Sequence, residues 1–582
     1  LFTNFFPRLR RRNDPITGES KIVGLESFTP RLILTGPIIK KKLTFSQSFE
    51  YRFIRTIVPS LPGLSNDTKL ETFDSFTQVD YDINERNHLT FNLSFFPQNT
   101  AFNQLNTFNP MEVTSNFRQR GFFVSVTERS AMGNSGLLET TFAIKRFNAF
   151  IFPQGDQAMT IAPTVNSGNF FNRQDRFSDR YDFQSTYNLP VFRAIGDHAV
   201  KIGGVLSFNT YDGRDANMPI RVTRDSGQLR QLIDFTGDGL VARDNFEQTL
   251  FIQDKFTLRP NIIFDIGLRY DHNELGAGQN FAPRIGFLII PFSGGRTVLR
   301  GGIGRFYDKV PLGVGTFLQL QNRRITQFDD DGQTISTQTL LRNTFANRIR
   351  TPYSVSGTFE VDQEIINKRL FFRFGFQRRE GRDEFIIDPA LDLGLLALSN
   401  GGRSRYREYQ FTTRYRLDEG NEILFSYVRS RATGDLNDFN IFFGNFRNPI
   451  IRGNERRNQP FDAPNRFLIT GTAKLPFDLT AAPVLDIRTG FPFSLIDENQ
   501  NFVGPRNAQR FPRFIALDLQ VTKGIKLPIL GKKYGTRVGV KIFNLTNHFN
   551  PRDVQANIDS FNFGVFSNSI NRTFRGKFEF DF

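Results

Sequence analysis

The last twelve residues, Asn571 to Phe582, alternate between two chemistries. Phe574, Phe578, Phe580 and Phe582 share one parity, with Gly576 between them, while Arg575, Lys577, Glu579 and Asp581 share the other. A side-chain period of two sends these sets to opposite faces of a strand. An aromatic face backed by a charged one fits a barrel wall between lipid and water. The same alternation also fits an amphipathic edge strand of a soluble sandwich, so the rest of the chain has to decide.

The 582 residues include 68 Phe and 13 Tyr but no Trp and no Cys, and mean hydropathy is only -0.35. Nowhere do about 18 apolar residues run together, which excludes a transmembrane helix. It leaves a barrel open, because alternating strands average out in hydropathy. Without Cys there is neither a disulfide framework nor a thiolate metal site. The net charge of +16 would draw a small soluble domain to nucleic acid. Here the basic residues are spread through strands and loops and no nucleic-acid-binding module is apparent, so nucleic acid is not expected as a partner. A solvated lumen and rim accounts for the charge, as do basic rim residues against anionic lipid headgroups.

Taken in order, the chain alternates short polar turns with long loops. Leu43, Phe45, Phe49, Tyr51 and Phe53 share one face of a strand over Lys42 to Thr56, and Thr44, Ser46, Ser48, Glu50 and Arg52 share the other. Lys69 to Asp82 turns through Asn84–Asn87 into His88 to Phe96. Glu247 to Thr257 turns through Leu258–Asn261 into Ile262 to His272, where Ile262, Phe264, Ile266, Leu268 and Tyr270 oppose Asp265, Arg269 and Asp271. Lys309 to Arg350 reads as a long polar connection. No helical period competes, and no repeat of about 40 to 50 residues marks a propeller. The expected fold is therefore all-β, a large antiparallel transmembrane barrel with short periplasmic turns and long extracellular loops.

Several motifs carry a family resemblance. Phe251-Ile252-Gln253-Asp254 through Leu268-Arg269-Tyr270-Asp271, Asn280 to Phe287, Leu299 to Asp308, Arg350 to Ser354, Gly490 to Phe493 and Phe543 to His548 follow one another in family order. From about Gly36 to Phe582 the chain resembles the barrel of TonB-dependent outer-membrane transporters, particularly the Oar-like group. The resemblance implies about 22 antiparallel strands around a plugged lumen. It also implies residence in the outer membrane of a Gram-negative bacterium, coupling through a TonB box to an inner-membrane energy complex, and uptake of a bulky ligand. A structural or adhesive barrel displaying binding loops, or a passive channel, is the alternative.

Counting back from Phe582 at the periplasmic rim puts every long loop outside and every short turn inside. Only the connection from Thr522 to Gly535 is long for an inside turn. The count reaches about 21 strands, one short of the even number bacterial barrels have. Residues 1–25 are therefore expected to be an extracellular loop following a missing first strand, and residues 26–582 the barrel. The plug and TonB box are expected to lie outside this chain.

Three candidate sites stand out. Phe578, Phe580 and Phe582 resemble the terminal signal by which such barrels are recognised for assembly, and equally suit a plain lipid-facing role. Asp234, Thr236 and Asp238, with Gly239 and then Asp244, space their oxygens as a calcium loop does, although Asn245 stands where a closing Glu belongs. The same residues make an ordinary polar turn. Arg8, Arg10, Arg11 and Arg12, together with Arg452, Arg456 and Arg457, form basic loop runs that could meet lipopolysaccharide phosphates or simply face water. His88, His198, His272 and His548 are scattered over separate hairpins, which leaves no catalytic constellation and no expected enzyme activity.

Overall fold

The computed structural model describes residues 2–5, 8–13, 20–61, 66–133, 135–335, 339–529 and 532–581. Twenty-two wall strands, each antiparallel to the next, close into a ring. Closure is the condition for spanning lipid, because an open edge would leave unpaired backbone groups in hydrocarbon.

The closing strand overturns the expectation for residues 1–25. Phe2–Phe5 pairs on one side with the last strand, Phe2 opposite Phe580 and Phe5 opposite Lys577, and on the other side Phe2 lies opposite Leu32. Arg8–Asn13 continues this wall strand against Ser20–Phe28. The ring closes with this strand in it, so the described residues 2–5, 8–13 and 20–25 are wall and not an extracellular loop. Its alternation is hidden because the pairing shifts register twice, between Arg8 and Leu9 and between Arg10 and Arg11. Each bulge resets the phase of a period-two pattern.

The connection from Thr522 to Gly535 is likewise strand for most of its length. Phe514–Ile529 and Lys532–Phe543 pair from Leu519 opposite Ile542 down to Ile529 opposite Lys532. Lys523, Lys526, Lys532 and Lys533 give this end of the hairpin a loop-like composition. With that correction all the inside turns are short.

Side-chain parity separates two media. On the outer face Ile202 lies opposite Ile252, Ile252 opposite Leu268, Ile266 opposite Ile285 and Ile285 opposite Ile303. All of these are exposed, and an apolar belt of this extent is a lipid contact. Toward the inner end of the same wall Phe192, His198 and Phe256 stack at centroid spacings of 5.1 and 4.6 Å, with His198 Nδ1 2.7 Å from Asp254.

On the inner face, by contrast, Thr249 Oγ1 donates to Asp271 at 2.6 Å, Arg269 Nε donates to the same carboxylate at 2.8 Å, and Arg180 Nε donates to Asp182 at 2.8 Å. Polar groups pair there because the lumen supplies no lipid to exclude them.

The outer half of the wall is taller than the alternation predicts. Asp197–Asn217 and Leu370–Ala390 have 21 residues each, and Leu395–Asp418 has 24. Twenty-one residues at the usual strand rise reach roughly 70 Å, against a hydrocarbon core of about 30 Å. Above the lipid neither face needs to be apolar, so the pattern fades while the pairing continues.

Candidate functional site

Over the mouth the long loops fold into a cap with its own core. Met159–Ile161, Ile220–Thr223, Leu229–Thr236, Asn322–Gln327 and Thr339–Phe345 pair in that order into a second sheet, and Thr339–Phe345 then runs parallel to Leu395–Leu398 of the wall. Lys309 to Arg350, expected as a polar connection, thus supplies two cap strands. One apolar cluster gathers Ile151, Phe171, Ile220, Val222 and Ile233, and another gathers Val314, Phe317, Ile387, Leu396, Leu398 and Phe439. Burial of these side chains holds the loops as a packed layer.

The loop that leaves Asn421–Asp435 forms the main strap. Asp438 caps its short helix Phe439–Phe443 by accepting from the Asn440 N–H at 2.8 Å, and Phe439 and Phe442 are buried in the cap. Beyond the helix the strap reaches wall strands eight and nine places away round the ring of twenty-two. There the Arg447 guanidinium donates to Asp215, and both side chains are almost fully buried, at 3% and 4% exposure. Asn172 Nδ2 donates to the other Asp215 oxygen at 2.8 Å, Arg176 Nη2 donates to Asn445 Oδ1 at 2.6 Å, and Arg323 Nη1 donates to the Pro449 carbonyl at 2.7 Å.

Charge in this strap is unbalanced. Arg447 pairs with Asp215, Arg176 is drawn to the same carboxylate, and Arg323 lies beside Arg447. Burial, and then the neighbouring Arg447, push Arg323 down to about 9. Burial also lowers Arg176, against the pull of Tyr211 and Asp215. The Arg323 guanidinium lies 5.4 Å from the Phe235 ring centroid and that of Arg447 5.0 Å from Phe443, so aromatic faces supply part of the missing stabilisation.

Two further straps interlock with the first. Asp553 Oδ2 accepts from Thr107 N and Oγ1 at 2.9 and 2.6 Å, tying the loop before the last strand to a loop near the start of the chain. Arg506 donates through its backbone N–H to Glu455 at 3.0 Å and through Nη1 to Asn437 at 2.6 Å. The mouth is therefore spanned from several sides.

The sequence-derived sites fare unevenly. Asp234 and Thr236 sit within the cap strand Leu229–Thr236, opposite Arg324 and Asn322, and Asp244 lies in the wall opposite Thr210. Asp238 accepts from the Leu240 N–H at 3.0 Å as a turn residue does. An extended strand spreads these oxygens apart instead of curling them round an ion, and among the described residues no three acidic or His groups converge on a metal position.

The basic runs are engaged by the protein itself. Arg8 pairs with Glu26 at 2.9 Å, and Arg10, Arg11 and Arg12 are wall residues whose side chains lie outside the described atoms. Arg452 is pushed down to about 10 by burial and by Arg506; it donates to Gln500 and stacks 4.8 Å from Phe502. Arg456 pairs with Asp435 at 3.0 Å, and Arg457 pairs with Glu455. Each of the described guanidiniums, Arg8, Arg452, Arg456 and Arg457, has an acceptor within the protein.

Phe578 and Phe580 lie in the closing strand, opposite Asn4 and Phe2, while Phe582 lies outside the described residues. His88 faces Asp80 and Asp82 on its own hairpin, and His548 lies 3.1 Å from Asn550. Arg176, Tyr211, Asp215, Arg323 and Arg447, which organise the strap, escaped sequence reading. They are single charges in unrelated segments, and no local spacing joins them.

A closed ring with an apolar outer wall, a polar lumen and a packed extracellular cap defines a large outer-membrane barrel. Its fold is that of the TonB-dependent transporters, as the motifs led one to expect, and such barrels span the Gram-negative outer membrane. The chain superposes on the outer membrane transporter YddB of Escherichia coli with a TM-score of 0.68 at 13% identity, covering 99% of this chain and 80% of that one. On the pyoverdine-bound FpvA of P. aeruginosa the TM-score is 0.63 at 10% identity, over 100% of this chain and 72% of the other.

In sequence it is 23% identical to the E. coli K12 protein YddB over 221 residues, 35% of this chain and 25% of that protein. It is 30% identical to the TonB-dependent transporter Oar of Myxococcus xanthus over 73 residues, 11% of this chain and 7% of Oar. No protein-family model matches the sequence. The chain thus spans a quarter or less of each of these two relatives in sequence.

Proposed function

We propose that this chain is the barrel of a TonB-dependent outer-membrane transporter, which admits a bulky ligand from outside and passes it inward with energy from the inner membrane. The observation that carries this reading is the strapped mouth on a closed ring of twenty-two strands. A barrel of this size encloses a lumen wide enough to need a plug, and a mouth spanned by interlocked loops suits gated entry better than passive diffusion. The likeness to YddB and FpvA in fold, and to Oar in sequence, supports the same reading. The partners that follow are the TonB energy-coupling complex, the transported ligand and the barrel-assembly machinery, which would read Phe578 and Phe580.

The test follows depletion of medium components by cells producing the full-length protein, with TonB present and with TonB deleted. Depletion that requires TonB is expected. Depletion indifferent to TonB would establish a passive channel instead, and surface binding with no depletion would establish an adhesive barrel.

A further inference from the structure

Beneath the main strap lies a cavity of about 490 Å³ lined by Arg176, Tyr211, Phe439, Asn440, Phe443 and Phe446, among others. Its volume falls in the range of small-molecule sites. Its walls have two chemistries. Phe439 and Phe443 stack on each other at 5.5 Å and, with Phe446, give an aromatic wall. Arg176 brings a guanidinium that hydrogen-bonds the neutral Asn445 amide oxygen and Tyr211, while its Nε is buried with no hydrogen-bond partner.

The carboxylate of Asp215 attracts Arg176 but is shared. Asp215 already accepts from Arg447 on one oxygen and from Asn172 on the other. Arg323, on the far side of Arg447, finds a backbone carbonyl and an aromatic face but no acid among the described residues. Burying guanidiniums in excess of carboxylates is costly, and Arg447, Arg176 and Arg323 grouped with the one acid Asp215 leave positive charge in excess where Arg176 lines the cavity. An organic anion entering the cavity would supply the missing charge and cover the rings in one event.

We infer that this cavity binds a carboxylate carried on a flat apolar body, with Arg176 receiving the carboxylate, Tyr211 beside it, and Phe443 and Phe446, backed by the buried Phe439, covering the apolar part. A neutral ligand would fill the rings and leave Arg176 unmatched. A small inorganic anion would satisfy Arg176 and leave the rings uncovered. The inference deepens the uptake reading by naming the chemistry admitted at the outer mouth. Binding needs no transport, however, so failure of TonB-dependent uptake would leave it standing, and failed binding would leave uptake standing.

The test uses the full-length protein purified in detergent and 2-naphthoate as the probe, its binding read by the fluorescence of the naphthoate itself. The neutral 2-naphthylmethanol and inorganic phosphate are the controls. Naphthoate should bind at least about tenfold more tightly than either, the scale of a charge-assisted hydrogen bond. Arg176→Gln should weaken naphthoate by about tenfold and leave the alcohol unchanged. Arg176→Lys should fall between the two. Heat-modifiable gel migration confirms that each variant keeps its barrel. No naphthoate binding, equal binding of naphthoate and the alcohol, or naphthoate binding unchanged in a folded Arg176→Gln barrel would overturn the proposal.

Discussion

Arg447 and Asp215 are 232 positions apart in the chain, yet they meet as a buried ion pair where the main strap rests on the wall. The pair does what a hydrophobic contact cannot, because a guanidinium and a carboxylate fix both distance and direction. It pins a loop that starts on one side of the ring to strands well round the other side. Its environment is dry, so each partner depends on the other to offset its desolvation.

Asp215→Ala should therefore loosen the strap more than the loss of one surface contact would. It leaves Arg447 buried and uncompensated, a change that typically costs about 3–5 kcal/mol. Hydrogen–deuterium exchange over residues 439–450 should rise sharply while the wall strands keep their protection. A double variant, Asp215→Leu with Arg447→Met, should recover most of that protection. If the single and double variants exchange alike, the pair is not what holds the strap.

That pair also marks the limit of what the chain discloses when read linearly. Inside the lipid the physics is local: one face must be apolar and one polar, so Ile262 to His272 is read almost to the residue as the strand Ile262–Asn273. Where the wall rises into water that demand lapses. Leu395–Asp418 is then legible only from Arg405 onward, because Leu395–Asn400 takes its apolar residues from the cap core. The first wall strand is hidden by two bulges. The strap is hidden for a third reason. Its contacts join segments hundreds of residues apart, so spacing along the chain carries no trace of them.

Acid should open the cap at another joint. Burial raises the Glu455 carboxyl, but the Arg506 backbone N–H and the Arg457 side chain outweigh it, and the net shift is downward from 4.5. A carboxylate lowered in the fold contributes stability that is fully present above its ordinary value of 4.5 and is lost as pH falls through the lower folded one. Exchange over residues 453–458 and 504–508, corrected for intrinsic rates, should therefore increase as pH is lowered below about 4.5. In Glu455→Gln it should already be raised at neutral pH and change little with acid. An increase of equal size in both proteins would remove Glu455 from the account.

Gly213 tests how tightly the wall is closed beside the strap. Its φ is +149°, and a Cβ there would lie 1.9 Å from the Asp175 carbonyl oxygen. Gly213 pairs with Arg176, between Tyr211 and Asp215, so the strain would fall on the strands that carry the strap. Gly213→Ala should cost about 2 kcal/mol or more, read as a lower urea midpoint for unfolding. Gly294→Ala, in an inside turn where a Cβ meets nothing within 4 Å, is the control and should shift the midpoint little. Equal midpoints for the two variants would show that the Gly213 contact relaxes.

The assignment of faces predicts opposite outcomes for neighbouring substitutions. Leu268 points to lipid opposite Ile252, whereas Gln253 points to the lumen opposite Gly267. Leu268→Arg should lower the free energy of folding into bilayers by about 2–4 kcal/mol, the penalty for a guanidinium near the bilayer midplane. Gln253→Arg should be close to neutral, since the lumen is polar and a Cβ at Gly267 would meet only its neighbour Gln253 and the Ile252 carbonyl. Folding yields into vesicles across a urea series measure both. If Gln253→Arg proves the costlier change, the two faces have been exchanged.

Phe580 holds two positions at once, and they can be separated. It lies in the closing strand, opposite Phe2 on one side and Thr536 on the other, so its ring belongs to the seam that shuts the barrel. It also lies in the terminal aromatic alternation that an assembly machinery would read. Phe580→Ala removes both roles, but only the second needs the cell. Folding of the purified chain into detergent or lipid measures the seam, where truncating one half-buried aromatic should cost about 1–3 kcal/mol. Insertion in cells measures seam and recognition together. If Phe578 and Phe580 are read during assembly, insertion in cells should fall well beyond the loss seen with purified protein, and Phe580→Tyr should restore it. Equal losses in the two settings would confine these rings to the barrel wall.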